Sequence, residues 1–313
     1  MDKFYVGVDI GGTNIKLGVI DSAGNIIKKS KFSIEDDTTF SVVIAKIIDN
    51  INEIISDIPI ELVGGIGLGI PGLIDTKNGL VVCSGNLNWT NEDVLTPLKN
   101  AFSYPIKIAN DANVAALGEA KFGVGKAYST SVFITLGTGV GSGIIIDGKI
   151  YDGNLGAGAE LGHMVIEANG RPCTCGGWGC FEAYASATSL KEQTRLAMLE
   201  NDDSLMWEIG GIENISGKTA FLYSDKDASA KKVVDEYIDY LSVGIVNVAN
   251  IFRPQAIILG GGVSYEGDKL LKPLNGKLSK RIFAGDLGPK VEILLATLRN
   301  DAGFMGAAAL NID

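Results

Sequence analysis

Residues 4–20 read FYVGVDIGGTNIKLGVI, and residues 132–146 read VFITLGTGVGSGIII. Each stretch is an apolar run, a glycine-rich turn and a second apolar run, the pattern of two strands joined by a tight connection. The first predicts strands over Phe4–Val8 and Ile15–Ile20 around Gly11-Gly12-Thr13. The second predicts strands over Val132–Leu136 and Ile144–Ile146 around the turn that begins Gly137-Thr138-Gly139. Two such openings suggest related lobes facing each other across a cleft, with a chance repeat of a common hairpin as the alternative.

Working outward, Val43, Ile44, Ile47, Ile48, Ile51, Ile54 and Ile55 recur at three- and four-residue spacing, which predicts a helix over Phe40–Ile58 that packs on the sheet. Val63–Ile70 is an apolar strand stopped by Pro71-Gly72, and Ile106–Ala109 is a short strand ending at Asn110-Asp111. Helical periodicity returns over Ala230–Phe252, and Ala256–Leu259 is a strand opening into Gly260-Gly261-Gly262. The Ala- and Gly-rich segment Asp301–Leu310 reads as a closing helix. Strands alternating with helices indicate an α/β fold. The boundary is expected near Ile108, giving a smaller lobe of residues 1–108 plus the closing helix at about 300–313, and a larger lobe of residues 109–299. Residues 200–230 carry little periodicity and read as a mobile excursion.

A chain of 313 residues is long enough for two domains, each with its own core. Its hydrophobic share of 46% and charged share of 20% are ordinary globular values and indicate neither disorder nor a membrane protein. The net charge of −10 argues against nucleic acid or anionic lipid as a partner, because that binding depends on neutralising many phosphates with Lys and Arg. The N-terminal segment has an acid, Asp9, within its apolar run and no small-residue cleavage site, so a cytoplasmic, untargeted protein is expected. Three of the four cysteines cluster at Cys173, Cys175 and Cys180, which points to metal binding and not to a disulfide framework.

Glycine turns suit phosphate because a residue without Cβ lets backbone N–H groups approach an anion closely. Gly11-Gly12-Thr13, Gly137-Thr138-Gly139 and Gly260-Gly261-Gly262 each follow an apolar strand, where a doubly wound sheet presents its ligands. Singly each reads more readily as a plain hairpin or a tight helix entry; together, with Asp9 before the first, they favour a nucleotide. Asp9, at a strand end before the first turn, is a candidate Mg²⁺ ligand, and Lys16 is either a phosphate contact or a solvated lysine. No P-loop pattern is present. Cys173, Cys175 and Cys180 have C-x-C-x4-C spacing, with the chain's one histidine, His163, ten residues upstream. Three thiolates and an imidazole make a closed tetrahedral zinc site with no position for substrate; reduced, metal-free thiols are the alternative. Asp111 could accept a proton from a hydroxyl at the end of its strand, or simply cap the helix that follows. Cys83 reads as a small core or loop residue.

The runs VDIGGTNIK, GIGLGIPGLID, IANDANVAALGEA, ITLGTGVGSGIII, GAGAELGHM, CTCGGWGCFEAYASAT and IILGGGV, in this order over essentially the whole chain, resemble the ROK family of repressors and sugar kinases. The resemblance implies an actin-like ATPase fold, of the ribonuclease H-like class, with two α/β lobes and a central cleft where ATP and a hexose meet. It makes Asp111 the general base. It makes Gly72, Asn110, Glu160, His163 and Glu182, together with Asp111, the sugar contacts, and His163, Cys173, Cys175 and Cys180 the zinc ligands. ATP, Mg²⁺ and Zn²⁺ are then the expected cofactors, and a homodimer or homotetramer is left open.

Three classes compete: a sugar kinase, a sugar-responsive repressor and a non-catalytic sugar-binding module. With Asp9 so close to the first residue, a repressor with a helix-turn-helix domain ahead of the nucleotide motif is not the expectation. A mere binding module has no need of Asp9, Asp111 and three glycine turns together. An ATP-dependent hexose kinase is therefore expected. The stretch Glu182–Thr188 resembles the glucokinase branch, with N-acetylmannosamine as the second substrate. The metal is expected to act as a clamp whose loss weakens sugar binding far more than ATP binding.

Overall fold

The computed structural model describes residues 3–278 and 280–312. The strands are β1 (Phe4–Ile10), β2 (Asn14–Asp21), β3 (Ile26–Ser33), β4 (Val63–Ile70), β5 (Leu73–Asp75), β6 (Leu80–Ser84), β7 (Trp89–Asp93), β8 (Ile106–Asn110), β9 (Ser131–Leu136), β10 (Val140–Ile146), β11 (Lys149–Tyr151), β12 (Ala256–Gly260) and β13 (Glu292–Leu295). The helices are α1 (Phe40–Ile54), α2 (Leu95–Ala101), α3 (Asp111–Phe122), α4 (Glu182–Ala185), α5 (Ala187–Leu199), α6 (Thr219–Tyr223), α7 (Ala228–Phe252), α8 (Asp268–Leu278) and α9 (Ala302–Ala309). Two five-stranded sheets have the orders β3-β2-β1-β4-β8 and β11-β10-β9-β12-β13, and β5-β6-β7 form a small third sheet. Both large sheets follow one plan. Three consecutive strands lie side by side, and two strands reached by longer connections complete the sheet. The repeat of glycine hairpins is thus the visible part of a repeated topology.

The chain forms two compact units, one of Met1–Phe133, Gly143–Ala159 and Thr297–Asp313, the other of Ile134–Ser142 and Glu160–Ala296. The position expected for the boundary, Ile108, lies inside β8, which is paired in parallel with β4. A division there would break a ladder, and the first unit instead runs on to Phe133.

In the first unit the strand period of two assigns opposite jobs to the sheet's two faces. Val6, Val8 and Ile10 of β1, Ile15, Leu17 and Val19 of β2 and Ile66, Leu68 and Ile70 of β4 join the buried face of α1 in one core. The alternate positions include Gly7 of β1, Gly18 of β2 and Gly65, Gly67 and Gly69 of β4. Gly7 pairs with Gly18 on one side and with Gly67 on the other, so three glycines lie in a row across three strands. A Cβ at Gly7 would overlap the Phe304 carbonyl oxygen, and one at Gly67 would overlap that of Ala307. The row is therefore a flat bed for α9, whose residues are all buried. Gly306 likewise brings α9 against Val114 of α3. The lysine-bearing β3 closes one edge of this sheet, where charge discourages further strand pairing.

In the second unit the 25-residue α7 supplies the long buried face, with Tyr237, Ile238, Leu241 and Ile245 inside. Helix α1 stops at Ile54 and not at Ile58, although Ile55 and Ile58 still pack on its core. Residues 200–230 are built, in contrast to the expected excursion. Asp227 caps α7 through the Ala230 amide at 2.9 Å and also holds the Ser204 hydroxyl at 2.7 Å and the Leu205 amide at 2.5 Å. Met206 and Phe221 of this region are fully buried. No helix among the described residues is long and apolar enough to cross a membrane.

Candidate active site and metal centre

In the first unit, parallel pairing sets Asp9 opposite Gly69 and Gly69 opposite Ala109. The carboxyl ends of β1 and β8 therefore lie on the same edge of the sheet, two strand spacings or about 10 Å apart. Asp9 ends in a crowded place, because a Cβ at Gly303 of α9 would overlap its carboxyl group. Burial pushes the Asp9 carboxyl above the ordinary carboxylate range, opposed by the Lys16 ammonium 3.7 Å away. Lys16 also donates to the Asn300 carbonyl oxygen at 3.3 Å. The first glycine turn closes through Gly11 N–H to Asn14 O at 3.0 Å, and the Thr13 carbonyl oxygen accepts from Ile34 N–H at 2.9 Å.

At the end of β8 two neighbouring side chains meet the first N–H groups of the helix. Asn110 is the N-cap of α3: its Oδ1 accepts from Ala112 N–H at 2.8 Å and Asn113 N–H at 3.2 Å. Asp111 is the helix's first residue, half-buried, its Oδ1 accepting from Ala112 N–H at 2.9 Å. Asn110 Nδ2 donates to the Gly72 carbonyl oxygen at 3.1 Å, so these two sequence candidates are brought together. Gly72 has φ +113°, and a Cβ there would overlap the Cys83 carbonyl oxygen, which explains the glycine after Pro71.

In the second unit, His163, Cys173, Cys175 and Cys180 offer ligand atoms that all lie within 4.8 Å of one another. The separations Cys175 Sγ to Cys180 Sγ and Cys173 Sγ to His163 Nδ1 are both 3.7 Å. A tetrahedron with metal–sulfur bonds of about 2.3 Å has edges of about 3.8 Å, so these four residues fit zinc. Burial and the neighbouring thiols push the Cys180 thiol up to about 12, whereas the Gly177 N–H pulls the Cys175 thiol down. A divalent cation is what would let the buried thiol ionise. Arg171 fastens the loop: its N–H donates to the Tyr184 hydroxyl at 2.7 Å and its guanidinium lies 4.5 Å from the centre of that ring.

Glu160 is exposed and precedes the short turn carrying His163, whose N–H donates to its carbonyl oxygen at 3.1 Å. Glu182 opens α4, and its Oε2 accepts from Val140 N–H at 2.9 Å, just past the second glycine turn. That turn, Gly137-Thr138-Gly139, is held from α5 by Ala187 N–H to Gly137 O and by the Thr188 hydroxyl to Thr138 O, both at 2.8 Å. Thr188 and Thr174, which donates to Glu182 Oε1 at 3.2 Å, were not among the sequence candidates. The sole signal for either was a hydroxyl beside a motif.

The glycines of these turns separate into those the fold needs and those it does not. Gly139 abuts Glu182, and Gly261, at φ +80°, abuts the Leu136 backbone, 2.6 Å from where a Cβ would stand. At Gly137 and Gly262, by contrast, no described atom lies within 4 Å of the Cβ position. Packing does not account for glycine there.

A model of the ROK family matches residues 5–313. A glucokinase of Halalkalibacterium halodurans is 37% identical over 99% of this chain and 95% of its own length. The xylose repressor of Bacillus subtilis is 31% identical over 99% of this chain and 77% of its own. Among solved structures, a ROK family glucokinase from Streptomyces griseus in complex with glucose and AMPPNP superposes with a TM-score of 0.83, at 32% identity over 98% of both chains. The fold is accordingly the actin-like ATPase fold of these kinases. Matched over nearly its whole length, this chain belongs to the ROK family.

Proposed function

We propose that this protein is an ATP-dependent hexose kinase that transfers a phosphoryl group to the 6-hydroxyl of glucose. The observation that carries the reading is the end of β8, where Asn110 caps α3 and Asp111 places a side-chain carboxyl at the same helix N-terminus, the two sharing the Ala112 N–H. A carboxylate so placed can take the hydroxyl proton as the sugar oxygen attacks the γ-phosphorus. In the first unit Gly72 and Asn110, joined by their hydrogen bond, are the candidate sugar contacts, and in the second Glu160, His163 and Glu182 are the candidate hydroxyl partners. Carboxylates suit that task because each accepts several donors.

The turn Gly11–Thr13 of the first unit, and separately Gly137–Gly139 of the second, would offer N–H groups to phosphates, with Gly260–Gly262 of the second unit as the candidate adenosine contact. Asp9 would hold the magnesium that accompanies ATP, and that ion supplies charge neutralisation at the phosphates. Zinc on His163 and the three cysteines supplies a fixed cross-link with no open coordination position, so its contribution is geometric. A cytoplasmic setting suits thiols that must stay reduced.

Supporting this reading are the glucokinase relatives and the neighbour bound to glucose and AMPPNP. A second reading, sugar binding without catalysis, is favoured by the xylose repressor, which matches 99% of this chain. A coupled assay with ATP, Mg²⁺ and a panel of glucose, N-acetylmannosamine, mannose and xylose separates them. Turnover highest on glucose is expected. Sugar binding without turnover on any of the panel would favour the second reading.

A further inference from the structure

Both oxygens of the Glu182 carboxylate are engaged, by two different parts of the second unit. Oε1 accepts from the Thr174 hydroxyl at 3.2 Å, and Thr174 stands between two of the metal-site cysteines. Oε2 accepts from the Val140 N–H at 2.9 Å, on the residue that follows Gly137–Gly139. Gly139 permits this approach, since a Cβ there would overlap Glu182 Oε2.

Glu182 is rigidly mounted. Its predecessor Phe181 is fully buried against Gly244 and donates its N–H to Met164 O at 2.8 Å. Its successor Ala183 donates to the carbonyl oxygen of Cys180 at 3.0 Å. Two more bonds run from the same segment to the turn, through Ala187 and Thr188. A displacement of the metal loop therefore has a short, stiff route to the backbone of the turn, two residues along the chain from Cys180 and one side chain across.

We infer that Glu182 is a positioning residue that couples the metal loop to the turn Gly137–Gly139, so that the metal tunes nucleotide affinity as well as sugar affinity. The inference rests on reading that turn as the nucleotide-phosphate site. With the four ligand atoms drawn onto one cation, Thr174 is fixed and Glu182 is oriented to receive the Val140 N–H. Without the cation the four ligand atoms lose their common partner, so the hold on Thr174, and through it on Glu182 and the turn, is expected to weaken. This revises the expectation that losing the metal falls on sugar binding far more than on nucleotide binding. A carboxylate has lone pairs beyond those used here, so the role does not exclude a sugar hydroxyl at the same oxygens.

The test is calorimetric titration of the zinc-replete and chelator-stripped protein with ADP, in wild type, Thr174→Val and Glu182→Ala, with zinc measured in each sample. Thr174→Val keeps all four ligands and Glu182, so it probes the coupling without removing the metal. It is expected to keep one zinc per chain and to weaken ADP binding by about three- to tenfold, the scale of one ordinary hydrogen bond. Chelation is expected to weaken ADP binding in wild type more than in Glu182→Ala, because the route is already cut in the variant. Unchanged ADP affinity in zinc-replete Thr174→Val, or equal losses on chelation in wild type and Glu182→Ala, overturns the coupling. No ADP binding to zinc-replete wild type would instead remove the nucleotide reading of the turn, and the inference with it.

Discussion

Asn110 reaches back to Gly72 with its Nδ2, 3.1 Å from the carbonyl oxygen, while its Oδ1 caps α3. One side chain thus fixes the turn after β4 and the start of the helix that carries Asp111. Asn110→Ala is expected to cost about 1 kcal/mol of stability, the usual loss of a cap, and to lower turnover out of proportion to that loss. Asn110→Asp restores the cap but not the Nδ2 donor. Denaturant melts and steady-state kinetics on both variants check this: near-wild-type stability with impaired sugar KM is expected for Asn110→Asp.

Gly137 and Gly7 make opposite predictions from the same substitution. At Gly137 the fold has room for a methyl group, so Gly137→Ala should melt like wild type yet bind ADP at least about tenfold more weakly, since the methyl group stands where phosphates would approach. At Gly7 a methyl group meets the backbone of α9, and Gly7→Ala should lose stability at or above the top of the usual range of about 1–3 kcal/mol for overpacking. Thermal melts with and without ADP read both. An unchanged ADP affinity in Gly137→Ala would make that turn an ordinary hairpin.

Asp227 gives the pH dependence. Although burial works to raise it, hydrogen bonds from Ser204, Ala230, Leu205 and Ser229 hold its carboxyl below the ordinary value of 3.8. A depressed folded-state pKa contributes stability that is present above the unfolded value and is lost as pH falls through the folded one. Asp227→Ala should therefore destabilise by about 1–2 kcal/mol at pH 7, as loss of a cap and of its partners. The gap between variant and wild type should narrow below about pH 3.8, in urea melts followed by circular dichroism.

Metal analysis of purified protein should find one zinc per chain, lost in Cys175→Ser. Four protein ligands leave no position for substrate, so stripping zinc should lower the melting temperature and weaken glucose binding without creating a new pH profile for turnover. A zinc-free protein with unaltered glucose affinity would remove the clamp while leaving the site as a metal centre.

Much of the fold could be read because its elements are long and strictly periodic. The two glycine hairpins, α1 and α7 fall into that class, and the C-x-C-x4-C run with His163 pointed to a cluster that the structure brings together. What escaped had no such signature. Gly7, Gly18 and Gly67 are far apart in sequence, and only strand register aligns them under α9. Residues 200–230 form short 3₁₀ turns and one brief helix, tied by the single side chain of Asp227, which no periodicity announces. The unit boundary escaped because the chain passes from one unit to the other within β9 and β10, where no change of composition marks it. Thr174 and Thr188 act through single hydroxyls, and a threonine beside a motif looks like any other.

The central claim is that Asp111 removes the proton from the sugar hydroxyl, and Asp111→Asn tests it most directly. The substitution keeps the size of the side chain at the first position of α3, so the fold and glucose binding should persist. Steady-state turnover with saturating ATP, Mg²⁺ and glucose should fall by about 10²- to 10⁴-fold, as loss of a general base requires. Glucose affinity by titration should stay within a few-fold of wild type. Wild-type turnover in Asp111→Asn under those conditions would contradict the account.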